Sequence, residues 1–294
     1  MIVVAGSTGI LGFEVCRRLR QRGKPVRALV RATSNPERVA ALKAAGCETV
    51  VGNLRDRESL DAACAGASAV ISTVTSVTTA KDGDSIAATD GEGNRNLVDA
   101  AAAAPAKQFI FVSFDASDVP DNPLAHAKAK VEDRLRKSAM TWTILHPGLF
   151  MESWLGPMLF ADPLAGTARF YGTREVRFRY VAVADVAEVT VQCVDNPAAR
   201  NRVISFGGPD ALTQREALER FEKAFGRPFT VTPIPEEALE AQYTNAPDPV
   251  MRSFSALMLA ISRGKPSAGA LPADFPVQMK TVDDFVHGLR ASSS

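Results

Sequence analysis

Histidine is scarce in this chain. Only three of its 294 residues are histidine (His126, His146 and His287), too far apart to suggest a metal-ligand set. The four cysteines (Cys16, Cys47, Cys64, Cys193) show no paired spacing that would suit zinc or a redox dithiol. Buried free thiols in a reducing compartment are the expectation. Neither sign of charge is in excess, with 34 basic and 33 acidic residues, so the basic footprint of a nucleic-acid binder is missing. Long hydrophobic runs are lacking too. The longest uncharged stretch, Ala62 to Ala80, is too rich in Ser, Thr and Gly to span a bilayer. A strand opening at Ile2 with glycines directly after it leaves no room for a signal peptide, so a cytoplasmic protein without a membrane segment is expected.

What is present begins at the N-terminus. Ile2 to Ala5 is a short apolar run of the kind that forms a buried parallel strand. Glycines follow at 6, 9 and 12, and then a helical pattern with Leu11, Val15 and Leu19 on one face. Glycine lets the backbone turn sharply and lie close to a pyrophosphate, whose charge rests against free N–H groups at a helix N-terminus. Gly6, Ser7, Thr8, Gly9, Ile10, Leu11 and Gly12 are therefore candidate dinucleotide contacts.

Strand and helix patterns alternate through the first half. Strands are expected at Ile2–Ala5, Val26–Val30, Thr49–Val51, Ala69–Ser72, Gln108–Ser113 and Thr141–Leu145. Helices are expected at Glu37–Ala45, Ser59–Ala63, Gly93–Ala103 and Leu124–Lys137. This is the pattern of an α/β fold, a doubly wound parallel Rossmann sheet with its ligand crevice at the carboxyl ends of the strands. After His146-Pro-Gly148 the alternation stops. Strands follow at Arg177–Val181 and Arg202–Phe206, and helices at Ala184–Cys193, Thr213–Phe225 and Thr281–Arg290. Thr213 with Glu216, and Thr281 with Asp284, open the last two helices as capping pairs. Phe254, Leu257, Met258 and Ile261 form a helical apolar stripe that reads as packing of the second lobe, with a substrate lid as the alternative, and Lys265–Pro276 reads as coil. The expected division is a nucleotide-binding domain over 1–150, to which 182–206 returns, and a smaller α+β substrate lobe over 151–181 and 207–294.

The assembled motifs resemble the NmrA-like branch of the atypical short-chain dehydrogenases/reductases. Gly6-Ser-Thr-Gly-Ile-Leu-Gly12 is similar to that family's phosphate loop, Val26-Arg-Ala-Leu-Val-Arg31 to its second strand, and Val51-Gly-Asn-Leu-Arg-Asp56 to its third-strand turn. Trp142-Thr-Ile-Leu-His-Pro-Gly-Leu-Phe-Met-Glu152 resembles the segment lining the nicotinamide pocket, and Gly207-Gly-Pro-Asp-Ala-Leu-Thr213 a loop of the C-terminal lobe. The resemblance implies a nicotinamide cofactor and makes Asn53, Leu54, Pro147, Gly148 and Phe150 candidate cofactor contacts. Two positions depart from the family. Asn53 replaces the usual Asp, though its amide oxygen can still accept from an adenine amino group. The Tyr-x-x-x-Lys of the wider superfamily is represented by His126-Ala-Lys-Ala-Lys130, which excludes a phenol relay there.

Arg31 ends the second strand, and no Asp or Glu lies anywhere in Val26–Thr33. An arginine at that position can meet a 2′-phosphate with its planar fork of donors, so the cofactor expected is NADP(H). The family resemblance places Lys130 on the nicotinamide ribose. His126, one turn earlier, is a candidate proton donor, and Lys128, Arg134, Arg136 and Lys137 read as a wet face. Ser113 at the end of the fifth strand is a further catalytic candidate, its hydroxyl facing the nicotinamide or substrate, and Ser72, Thr73 and Val74 at the end of the fourth are candidate cofactor contacts, with strand-end capping as the alternative for the hydroxyls. Arg169, Arg174, Arg177 and Arg179 read as solvated rather than substrate-binding, whereas Phe150, Met151, Trp154 and Leu155 suit either core packing or an apolar pocket wall. The leading expectation is an NADPH-dependent reductase of a small apolar carbonyl or quinone-like compound. The alternative is a non-catalytic NADP(H)-sensing protein of the NmrA type that binds a protein partner according to redox state.

Overall fold

Short runs rich in Val and Ile become buried strands of a parallel sheet covered on both faces. In the computed structural model, which describes residues 1–77, 83–115, 119–172, 176–264 and 268–293, the chain begins with β1 (Ile2–Ala5), α1 (Ile10–Gln21), β2 (Val26–Val30), α2 (Pro36–Ala44), β3 (Glu48–Val51), α3 (Arg57–Cys64) and β4 (Ala69–Ser72). A π-helix (Ile86–Gly93) then runs into α4 (Asn94–Ala103), followed by β5 (Gln108–Val112), α5 (Pro123–Arg136) and β6 (Thr141–Pro147). Next come β7 (Leu149–Phe150), α6 (Met151–Trp154), β8 (Ala161–Asp162), β9 (Thr167–Tyr171), β10 (Tyr180–Val181) and α7 (Val183–Gln192). The chain ends with β11 (Arg202–Phe206), α8 (Gln214–Phe225), β12 (Thr230–Ile234), α9 (Glu236–Thr244), α10 (Pro249–Ser262) and α11 (Val282–Ser293).

Seven strands form the main sheet in the order β11-β6-β5-β4-β1-β2-β3. Val4 of β1 pairs in parallel with Ala28 of β2 on one side and with Ile71 of β4 on the other. The direction of winding reverses at β1. That reversal is the topological switch point at which open α/β sheets bind ligands, and the doubly wound class expected from the sequence is the one found.

The chain forms two compact units. The first comprises Met1–Phe114, Pro123–Leu145 and Val186–Ile204, and the second Asp115–Asn122, His146–Asp185 and Ser205–Ser294. One core of the first unit gathers Val3, Leu60, Leu97, Phe109, Phe111 and Val131. The second unit packs around aromatics. Phe160 stacks on Phe170 at 6.1 Å and meets Phe221 edge-on at 6.2 Å.

Several elements differ from the sequence expectation. The strand expected over Arg177–Val181 is reduced to Tyr180–Val181, because Phe178 bridges Leu212 separately and Arg177 reaches Glu216 at 2.7 Å. The π-helix was not anticipated, since its Thr, Asp and Gly residues carry no helical stripe. Nor were β8, β9, β12 and α9. Pro233 marks β12 as an edge strand, which is its place in a three-stranded sheet ordered β12-β9-β8. Arg174, and Lys265 to Ser267 of the expected coil, lie outside the described residues. Among the described residues no helix is long and apolar enough to cross a membrane, and no group of His, Cys, Asp or Glu is placed to hold a metal ion.

Candidate functional site

The phosphate-loop glycines do three different jobs. Gly6 has φ +77°, a left-handed conformation that leaves β1 in a sharp turn, and its carbonyl accepts from Gly9 N at 2.9 Å. At Gly12 an added Cβ would lie 2.2 Å from the Gly6 oxygen, so this glycine serves the close packing of α1 on the loop. At Gly9 a Cβ would meet only that oxygen, at 3.2 Å. Gly9 is the N-cap of α1 and offers no side-chain cap, so the helix N-terminus opens toward an exposed position. The loop is tied down from beneath: Ser7 Oγ donates to Leu29 O of β2 at 2.7 Å. Thr73, at the end of β4, donates from both its N and its Oγ1 to Ala5 O.

Beyond the ends of β2 and β3 the first unit contains a cavity of about 610 Å³. Arg31, Thr33, Asn53, Arg55, Ser59 and Asp84 are among its lining residues. Arg31 Nη1 lies 2.5 Å from Asp84 Oδ2. Asn53 folds into a local turn, its Oδ1 accepting from Arg55 N at 3.0 Å, and its own N–H donates to Ser59 Oγ.

At the end of β5 a buried polar group stands beside a buried cation. Ser113 donates its N–H to Leu145 O, while its buried Oγ has no hydrogen-bond partner among the described residues. Lys128 of α5 donates from Nζ to Val112 O at 3.2 Å and lies 4.9 Å from the Phe111 ring centre. Burial lowers the Lys128 pKa, and the nearby charges of Asp90 and Glu132 oppose that shift. Asp90 is itself fully buried in the π-helix and accepts from Ser76 N and Oγ on one oxygen. Its other oxygen is buried and has no hydrogen-bond partner among the described residues.

The sequence profile of the NmrA-like family matches residues 1–264. The chain belongs to that family. An NAD(P)H azoreductase of Xenophilus azovorans is 30% identical over 245 residues, 82% of this chain and 80% of that protein. A (4-alkanoyl-5-oxo-2,5-dihydrofuran-3-yl)methyl phosphate reductase of Streptomyces griseus is 33% identical, covering 86% of this chain and 84% of its own. An NADPH-dependent quinone oxidoreductase of Escherichia coli, solved with NADPH, superposes with a TM-score of 0.79 over 99% of this chain and all of its own. At 22% identity that likeness is one of fold.

In this NmrA-like chain the sequence-derived candidates separate by environment. Gly9 and Ile10 are exposed at the mouth of α1, Thr8 and Leu11 are half-buried, and Ser7 is spent on the Leu29 carbonyl. Ser72 is buried with its hydroxyl on Asn94 Oδ1 at 2.6 Å, where it anchors α4. Leu54 is a core residue and Val74 packs against the same core. The Asn53 amide oxygen expected to face adenine is engaged by its own turn. Pro147 is buried, Phe150 is half-buried, and Gly148 accommodates a close backbone, since a Cβ there would lie 2.6 Å from Arg179 O. Met151 and Leu155 belong to the aromatic core of the second unit.

Helix α5 holds the main surprise. His126 and Lys130 are exposed, whereas Lys128 is buried, which corrects the assignment of Lys128 to a wet face. The signal was present in the spacing. With Val131 and Leu135 facing inward, the position three before Val131 shares their face and the position one before it does not. Asp84 was missed for a different reason: it reaches Arg31 from 53 residues away in sequence, beyond any local pattern.

Proposed function

We propose that this protein is an NADPH-dependent reductase of a small apolar carbonyl or quinone-like compound. The observation that carries the reading is the conjunction, in one unit, of an uncapped helix N-terminus behind a glycine turn and an arginine in a cavity at the end of β2. These groups fit a dinucleotide phosphate. Gly6 to Gly12 would cradle the pyrophosphate on α1, and Arg31 would take the 2′-phosphate. When bound, NADPH supplies the hydride for reduction of the substrate.

The chain's own residues would bind and orient. The Ser113 hydroxyl, unpaired among the described residues, offers a hydrogen bond at the carboxyl end of β5, and the Lys128 ammonium sets a positive charge one residue away. His126 and Lys130 stand as solvent-side alternatives for proton donation and ribose binding. We assign cofactor binding to the first unit and the substrate-lobe role to the second. The reductase names carried by relatives at 30% and 33% identity support the reaction class. The four free, buried thiols suit a cytoplasmic setting.

Loss of NADPH absorbance, followed against a panel of quinones, aldehydes and enones, tests the proposal. Turnover with one class names the substrate chemistry. NADPH binding without turnover on any of them, together with a protease pattern that differs between NADP⁺ and NADPH, would instead favour the sensing protein.

A further inference from the structure

The cavity that contains Arg31 also contains its competitor. Asp84 Oδ2 is 2.5 Å from Arg31 Nη1, and the carboxylate is held rather than trailing in solvent. Its side chain is only 7% exposed, against 35% for Arg31, and Oδ1 accepts from Thr89 Oγ1 at 3.3 Å. The backbone just before it is pinned as well, because Arg55 Nη1 donates to Gly83 O at 2.7 Å. Arg31, Arg55 and Asp84 all line the same 610 Å³ space.

A fixed carboxylate there acts in opposite directions on the two nicotinamide cofactors. Toward a 2′-phosphate it is a rival for the guanidinium and a like charge at close range. Toward a 2′-hydroxyl it is an acceptor, the role an acid at the end of the second strand plays in NAD-selective sheets. Here no acid occurs in Val26–Thr33, and the carboxylate comes from the segment leading into the π-helix instead. We propose that Asp84 is a cofactor-specificity residue: Arg31 receives the 2′-phosphate of NADPH, Asp84 receives the 2′-hydroxyl of NADH, and their pairing keeps the preference for NADPH narrow. The inference rests on the assignment of the 2′-phosphate to Arg31 made above.

The test is direct titration of full-length protein with NADPH and with NADH, read by calorimetry or nucleotide fluorescence rather than by turnover. Asp84→Asn keeps an acceptor for Thr89 and removes the charge. It should tighten NADPH binding by roughly tenfold and weaken NADH binding by several-fold, widening the preference in both directions. Arg31→Ala should do the reverse, losing NADPH affinity while NADH affinity holds or improves. It also serves as the second variant should Asp84→Asn fail to fold, and in that case retained or improved NADH affinity supports the role of Asp84. NADPH affinity that is unchanged or lower in folded Asp84→Asn, or NADH affinity lost together with NADPH in Arg31→Ala, would overturn the role of Asp84. If wild type binds neither cofactor, or if Arg31→Ala leaves NADPH affinity unchanged, the underlying cofactor assignment fails instead.

Discussion

Gly9 and Gly12 look equivalent in sequence, but a side chain at each would meet different neighbours. At Gly12 it would press into backbone 2.2 Å away, and neither partner can yield without moving α1. Gly12→Ala should therefore lower stability by about 1–3 kcal/mol, visible as a fall in Tm even without nucleotide. Gly9→Val, whose Cβ would crowd the Gly6 oxygen at 3.2 Å, should lower Tm less than Gly12→Ala does, and on the proposed site it should abolish NADPH binding by filling the space of the pyrophosphate. A Gly9 variant that binds NADPH normally would remove the loop from the site. Lys128 supplies a second test. Lys128→Met should cut turnover strongly, while Lys130→Ala should spare it, and the opposite ranking would return the role to Lys130. Stability carries a separate sign. The folded Lys128 pKa is lowered from 10.5, so the unfolded chain holds the proton better and this group's contribution rises with pH up to that value and is lost on acidification through the lowered pKa. Urea midpoints across the alkaline range should show a shallower rise in Lys128→Met.

Elements were legible in proportion to how regular their environment is. Strands β1, β2, β4 and β5 lie in a sheet covered on both faces, so burial selects continuous apolar runs that stand out in the sequence. By contrast β12 is largely exposed and carries Pro233, and β9 alternates buried Ala168 and Phe170 with exposed Thr167 and Arg169, so neither presents such a run. Caps were readable because their chemistry is local. Thr213 Oγ1 accepts from Glu216 N at 3.1 Å and Glu216 returns a contact to Thr213 N at 2.9 Å, the reciprocal pair expected from the two residue types. Thr213→Ala should destabilise by about 1 kcal/mol, with no change in NADPH affinity. A larger loss would mean that α8 carries more of the second unit than its cap explains.

At the scale of the whole molecule, the glycine loop and Arg31, the residues proposed for the nucleotide, were visible because each directly follows an apolar strand run, Ile2–Ala5 and Val26–Val30. Asp84 was not, because its contact with Arg31 is made by folding alone. Nucleotide binding should register globally. With NADPH at a hundredfold excess over its Kd, unfolding should cost about 2.7 kcal/mol more, and NADH at the same concentration should protect less. Equal protection by the two would remove the preference assigned to Arg31.

The order of the sheet also bears on how the chain is made. β6 ends at Pro147, but its outer neighbour β11 is not complete until Phe206. At 5–20 residues per second, a ribosome needs roughly 3–12 s to deliver the strand that covers it. During that interval β6, with Thr143, Ile144 and Leu145 destined for full burial, is the bare edge of a nearly finished sheet. Nascent chains stalled between these points therefore present an open parallel edge, and should aggregate more readily than chains released after Phe206.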